Sequence, residues 1–218
     1  MQNTVYSLQK MKRILPFILL LLPLLPMQAQ TARSVMDRAA AKLQKAGGMQ
    51  ATFETTSFRG TQEQATTRGT IQVQDRKFRV ASEGGDIWFD GKTQWSLLAG
   101  SDEVNVTTPS RADVQKLNPY HFINLYKQGY TLRLTSATYQ GKSVRQVDMT
   151  ANTRGADIQK MTILLDQTDT PVNVRLKDGK GNWFRFRIKS LKTGQKFTAD
   201  TFQYNPADHP GIEVIDLR

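Results

Sequence analysis

The chain has 218 residues, no cysteine and two histidines, and its 30 lysines and arginines outnumber its 19 aspartates and glutamates. Without cysteine it has neither a disulfide nor a thiol nucleophile, and two histidines are too few for a histidine-rich metal site. We therefore expect a protein that is not an enzyme, holds no metal or cofactor, and depends on its hydrophobic core for stability.

The first predicted element is a signal peptide at residues 1–29. Three basic residues between positions 10 and 13 precede an unbroken apolar run at residues 14–25, and Ala29 supplies a small residue for cleavage. A membrane-spanning helix needs about 20 apolar residues, which is more than this run has. The sequence predicts export as a soluble chain, with one domain at residues 30–218. Nucleic acid is an unsuitable partner for an exported protein, so its basic residues point to an acidic surface.

A helix and a series of strands follow. Val35, Ala39 and Leu43 recur at helical spacing, and Gly47-Gly48 comes next, which predicts a helix at residues 31–46. Alternating apolar residues predict strands at 49–58, 68–74, 77–82, 103–107, 130–138, 143–151, 158–166, 171–177 and 182–191, with an edge strand near the C-terminus. Short strands separated by polar turns are typical of an antiparallel barrel or sandwich.

The most apolar predicted element is a hairpin centred on Asp90-Gly91. Ile87, Trp88 and Phe89 precede this pair, and a second apolar run begins at Trp95. Asp-Gly between two such runs favours a type I′ turn. So much apolar surface needs cover, and we expect it to line a curved sheet that holds acyl chains.

Two short amphipathic helices are predicted at about residues 110–128. Asn118-Pro119 provides an N-cap and a first-turn proline for the second helix, and Gly129 ends it. The apolar residues of this second helix are Phe122, Ile123, Leu125 and Tyr126. We expect these helices to form a lid over the open end of the sheet.

The order of these elements resembles the LolA family of periplasmic carriers of outer-membrane lipoproteins. The resemblance rests on Ala51-Thr52-Phe53, Gly69-Thr70-Ile71, Phe78-Arg79, Asp90-Gly91-Lys92-Thr93-Gln94-Trp95, Asn118-Pro119 and Phe202-Gln203-Tyr204-Asn205-Pro206. It implies a mainly β fold with short helices (α+β), an incomplete and strongly curved antiparallel β-barrel with an N-terminal helix and a helical lid. It also implies a hydrophobic cavity that shelters the acyl chains of lipoproteins during their transfer from the inner to the outer membrane.

The resemblance further implies partners and residue roles. The partners are acylated lipoproteins, an inner-membrane lipoprotein-releasing ABC transporter, and an outer-membrane acceptor or the outer membrane itself, with the carrier acting as a monomer. The expected cavity lining is Phe53, Ile71, Val73, Phe78, Trp88, Trp95, Leu97, Met161, Ile163, Phe184 and Phe186. Many relatives hold the lid with an arginine followed by proline. This chain has Asp75-Arg76 without a proline, so Arg76 and Arg79 are the candidates.

Other interpretations stay open. Residues 171–196 contain eight lysines or arginines and one aspartate, and Arg185, Arg187 and Lys189 are the candidates for docking to an acidic partner. The same charges also fit an ordinary solvated face. Part of the lining set also fits an ordinary core under the N-terminal helix. A periplasmic lipid- or lipoprotein-sensing regulatory or scaffold domain of the same fold is the alternative function.

Overall fold

The computed structural model describes residues 31–110 and 124–218, in which the chain forms one α-helix and one sheet of twelve strands. The helix is α1, Ala32–Lys45. The strands are β1 (Gly48–Arg59), β2 (Gln62–Gln74), β3 (Lys77–Ser82), β4 (Gly85–Phe89), β5 (Gln94–Leu98), β6 (Glu103–Thr107), β7 (Tyr130–Tyr139), β8 (Lys142–Ala151), β9 (Ile158–Leu165), β10 (Pro171–Asp178), β11 (Trp183–Gln195) and β12 (Glu213–Asp216). The predicted signal peptide and most of the predicted lid lie outside the described residues.

The predicted N-terminal helix is confirmed as α1. Thr31 caps it, because its hydroxyl accepts a hydrogen bond from the Ser34 backbone N–H at 3.1 Å while the Ser34 hydroxyl accepts one from the Thr31 N–H at 3.2 Å. Gly47 follows the helix with a φ of +67°, a conformation that glycine adopts without strain. The helix therefore begins and ends where its capping residues predict.

The sheet consists of two antiparallel meanders joined by one pairing. Strands β1–β6 follow one another in the first meander, β7–β11 do so in the second, and β1 pairs with β11 between them. At the edge of the first meander β12 pairs with β6 in parallel. The strand order runs from β12 to β7, and these two edge strands do not pair with each other, so the sheet is curled but open. The predicted fold class, mainly β with an incomplete barrel, is confirmed.

One face of the sheet, here called the helix face, packs against α1. Cross-strand partners point to the same side of a sheet, so the pairing of Phe186 with Val174 and of Val174 with Ile163 defines this face. The fully buried α1 residues Val35, Met36 and Ala39 share a core with this part of the sheet. Further members of that core are Met49, Val147, Met149, Met161, Ile163 and Leu165. A smaller apolar cluster, Val73, Phe78 and Phe89, extends the same face into β2, β3 and β4.

The opposite face differs between the two meanders. In the second meander it is polar, because Arg185 and Arg187 alternate with the helix-face residues Phe184 and Phe186, as the sequence predicts. In the first meander it is apolar at β4–β6, where the C-terminal segment, residues 197–212, packs against it. Trp88, Val104 and Tyr204 form the buried centre of this contact.

The hairpin centred on Asp90-Gly91 is present, but the predicted type I′ turn is wrong. Phe89 pairs with Gln94, so four residues connect β4 to β5. The Asp90 carboxylate accepts hydrogen bonds from the backbone N–H groups of Lys92 and Thr93, both at 2.8 Å, and of the loop residues only Gly91 has a positive φ, +104°. Asp90 therefore shapes the turn through its side chain, and Gly91 supplies the one positive φ.

Candidate functional site

Eight of the eleven side chains predicted to line a cavity lie on the helix face. Four of them belong to the packed core: Val73, Phe78, Met161 and Ile163 are at most 2% exposed. The other four are half-buried: Phe53, Ile71, Phe184 and Phe186. The half-buried set crosses the middle of the sheet, since Phe53 is on β1, Ile71 on the adjacent strand β2, and the two other phenylalanines on β11. It forms a partly exposed apolar surface between the two core clusters.

Phe53 owes its position to a glycine on the neighbouring strand. Its cross-strand partner is Gly69, and a Cβ atom added there would lie 2.8 Å from the Phe53 ring and 2.6 Å from the Ala81 carbonyl oxygen. Because Gly69 has no side chain, the ring can lie over β2 while β3 approaches closely. The ring thereby covers the glycine and presents its remaining surface to the helix face.

Two residues outside the predicted lining set continue this surface. Val80 pairs with Ile71, and Ile87 pairs with Val80, so the three side chains form a half-buried row across β2, β3 and β4. The alternation of Phe78 and Val80 in β3 was the available signal. The helix face is therefore apolar from β4 to the second meander.

Trp88, Trp95 and Leu97 do not lie on the helix face with the other predicted lining residues. Trp88 pairs with Trp95, and both point to the opposite face with Leu97. Trp88 is 3% exposed and contacts the Tyr204 ring edge-to-face at 5.4 Å and the His209 ring at 5.5 Å. These three side chains pack under the C-terminal segment, far in sequence from the hairpin that carries them.

The two candidate lid arginines, Arg76 and Arg79, lie in the β2–β3 hairpin. Arg79 pairs with Trp88 across the strands and so points to the opposite face, where its guanidinium lies over the Trp88 ring and 3.6 Å from Asp86. Arg76 is exposed in the turn between β2 and β3.

Only the end of the predicted lid can be located. Phe122 and Ile123 lie outside the described residues, and Leu125–Lys127 form a short 3₁₀ helix. Tyr126 is 1% exposed and its hydroxyl donates a hydrogen bond to Asp37 of α1. Burial, reinforced by this hydrogen bond, raises the pKa of Tyr126 to about 12, so the phenol remains a donor at neutral pH. Tyr126 and Leu125 pack against the core under α1.

The predicted docking residues differ in how their charges are compensated. Arg187 forms an ion pair with Glu54 at 2.8 Å, and Arg185 forms one with Glu63 at 2.9 Å. Lys189 is exposed. Two of the three cations are therefore partly neutralised by carboxylates of β1 and β2.

The described residues contain no group of three or more metal-ligating side chains. In the same residues the helix is neither long nor apolar enough to cross a membrane. What the helix face offers instead is extended contact with an apolar ligand, because Phe53, Ile71, Phe184 and Phe186 are half-buried there and carry no polar groups.

The fold and this apolar face define a protein of the lipid- and lipoprotein-binding LolA superfamily. The chain belongs to the LolA family: the family model described as "Outer membrane lipoprotein carrier protein LolA" matches residues 22–180. No curated protein matches the chain significantly.

Solved structures share the fold at low sequence identity. An uncharacterized conserved protein from Thermus thermophilus is 16% identical with a TM-score of 0.56, and the match covers 86% of this chain and 99% of that one. A putative outer membrane lipoprotein-sorting protein domain from Vibrio parahaemolyticus is 12% identical, with a TM-score of 0.41 and coverage of 78% and 97%. The Mycobacterium tuberculosis lipoprotein LppX is 9% identical, with a TM-score of 0.47 and coverage of 77% and 99%. At these values the first match supports the fold and the other two add no argument.

Proposed function

We propose that this protein is a periplasmic carrier that shelters the acyl chains of lipoproteins on its helix face and moves them from the inner to the outer membrane. The observation that carries the proposal is the half-buried apolar surface of Phe53, Ile71, Phe184 and Phe186 between two packed clusters, in a chain of the LolA family. Neither an enzymatic activity nor a cofactor is part of the proposal.

The energetics of acyl chains explain why such a surface is needed. Three palmitoyl-sized chains hold about 45 methylenes, and exposing them to water costs roughly 36 kcal/mol at about 0.8 kcal/mol for each. A carrier must therefore receive its cargo by contact with a donor and keep it on a surface nearly as apolar as the bilayer. The free energy for extraction comes from the proposed inner-membrane ABC transporter, and release occurs at an outer-membrane acceptor or at the membrane itself. The carrier acts as a monomer, exported by means of the signal peptide at residues 1–29.

The first test measures whether the helix face binds acyl chains. Phe53→Gln removes a ring from the middle of the surface and should weaken binding of a fluorescent fatty acid about tenfold, because a fully buried phenylalanine contributes about 1.5–3 kcal/mol and this ring is half-buried. Leu217→Gln is the matched control, since Leu217 is 60% exposed near the C-terminus. Equal affinities for the two variants and the unaltered protein would contradict the proposed binding surface.

The second test separates a carrier from a sensing domain. Mass spectrometry of protein recovered from the periplasm should identify bound lipoproteins or lipids, and the loaded protein should transfer them to outer-membrane vesicles. Stable binding without transfer would favour the regulatory or scaffold alternative. Recovery of unprocessed protein only from membranes would contradict both export and the carrier function.

A further inference from the structure

Near the turn between β10 and β11, the opposite face of the second meander and of the adjoining strand β1 carries a cluster of cations and aromatic rings. Register places Lys160, Lys177, Trp183 and Phe58 in one row across β9, β10, β11 and β1. Arg175 and Arg185 pair with each other two residues further along. Neighbouring strands are about 4.8 Å apart, so the row extends about 15 Å. These six residues are here called the basic-aromatic patch.

Arg187 has a carboxylate partner in Glu54, whereas most cations of this patch have none among the described residues. Arg175 lies over the Trp183 ring at 4.6 Å and over the Phe58 ring at 5.6 Å, and Arg185 lies over the Phe58 ring at 5.1 Å. Arg185 also pairs with Glu63. Within the described part of the chain, Lys160, Arg175 and Lys177 form no ion pair with a carboxylate. Three cations therefore remain available on a surface whose rings are already covered by guanidinium groups.

We propose that the basic-aromatic patch is a docking surface for anionic phospholipid headgroups of a membrane. Its charge is complementary to lipid phosphates, and tryptophan beside cations is a combination found where proteins meet the membrane interface. A protein partner that binds tightly requires an interface with an apolar centre. The two rings of this patch do not provide such a centre, because guanidinium groups of Arg175 and Arg185 lie over them. The patch lies on an open sheet face, where its cations can contact several headgroups at once.

The proposal concerns a different face from the proposed acyl-chain surface and does not depend on it. Each available cation near an anionic bilayer strengthens binding about fivefold. Neutralising Lys160, Arg175 and Lys177 should thus weaken binding about 100-fold. The effect should diminish as added salt shortens the Debye length below about 10 Å.

The experiment measures sedimentation of the purified protein with vesicles of phosphatidylcholine alone or with 30% phosphatidylglycerol. Lys160→Gln, Arg175→Gln and Lys177→Gln are combined in the patch variant. The control combines Lys189→Gln, Lys192→Gln and Lys196→Gln, which removes the same charge from exposed positions at the far end of β11 and just beyond it. We expect the patch variant to lose about 100-fold in affinity for the anionic vesicles and the control to change less than threefold.

Arg175 also packs on two rings, so its replacement can lower stability. The double variant Lys160→Gln with Lys177→Gln keeps that packing and should lose about 25-fold, with an unchanged unfolding temperature. Equal losses in the patch variant and the control would mean that net charge alone governs binding and would overturn the proposal. Absence of any preference of the unaltered protein for anionic vesicles would also overturn it and would leave an acidic protein as the occupant. Unchanged fatty-acid binding in the double variant would separate this result from the proposed carrier function.

Discussion

Replacing Trp88 should damage the fold and leave ligand binding intact. Trp88→Ala removes a ring that is 3% exposed and that contacts Tyr204, His209 and the guanidinium of Arg79. A buried tryptophan reduced to alanine costs about 3–5 kcal/mol, and the lost edge-to-face pair adds about 1 kcal/mol. The expected loss of about 4–6 kcal/mol lowers the unfolding temperature by about 10–20 °C for a chain of this length. Trp88→Phe, a milder change, keeps part of the ring contact and should cost about half as much.

Circular dichroism monitors the thermal unfolding of each variant. The affinity for a fluorescent fatty acid is then measured at a temperature where Trp88→Phe and Phe53→Gln are both folded. The comparison is Phe53→Gln, which should lower affinity with a smaller loss of stability because Phe53 is only half-buried. If Trp88→Phe weakens fatty-acid binding as strongly as Phe53→Gln does, Trp88 belongs to the binding surface. If the unfolding temperature of Trp88→Ala equals that of the unaltered protein, Trp88 does not stabilise the fold.

Three further predictions concern single residues. Tyr126→Phe removes the hydrogen bond to Asp37 and should cost about 1–2 kcal/mol in urea unfolding. Because the folded pKa of Tyr126 is about 12 and its ordinary value is 10, the unaltered protein should lose more stability than the variant from pH 10 to 12; parallel curves would contradict this. Gly69→Ala should cost about 1–3 kcal/mol, because the added methyl group displaces the Phe53 ring and the Ala81 carbonyl, and unchanged stability would show that the strands separate without cost. Burial alone would raise the pKa of Asp166. Hydrogen bonds from Thr170 and Thr168 and the charge of Lys42 nevertheless hold this pKa below its usual 3.8. The ionised carboxylate therefore stabilises the fold fully above pH 3.8, and this stabilisation is lost as the pH falls below that value. Asp166→Asn should therefore destabilise the protein at pH 7 and progressively less below pH 3.8, and a constant difference would exclude this role.

Local patterns were sufficient to predict much of the fold. The capping residues Thr31 and Gly47 lie directly next to the helix that they delimit, and the alternation in β11 separates Phe184 and Phe186 from Arg185. Each of these signals depends only on residues a few positions apart, so it can be read from a single sequence. They identified the helix and the strands and showed which residues of a strand share a face.

The remaining assignments depend on contacts between distant segments. Alternation shows that Trp88 and Phe89 face opposite sides, but both sides of β4 are apolar. The element that covers Trp88 is more than 100 residues away, at Tyr204 and His209. The compensation of Arg187 by Glu54 spans 133 residues in the same way. Composition reveals the excess of cations, whereas only the fold reveals which of them have partners.

The pairing of β1 with β11 has a consequence for how the protein folds. Within each meander, neighbouring strands are joined by short turns, whereas this one pairing connects Gly48 to Gln195 and Phe58 to Trp183. Local hairpins form within microseconds, while closure of so long a loop is slow and entropically costly. Helix α1 is joined to β1, yet its buried side chains pack on β8 and β9, so they reach these partners only after the second meander has been synthesised. We therefore expect the helix face to be most accessible during synthesis and folding of the chain itself, before any cargo is present to cover it.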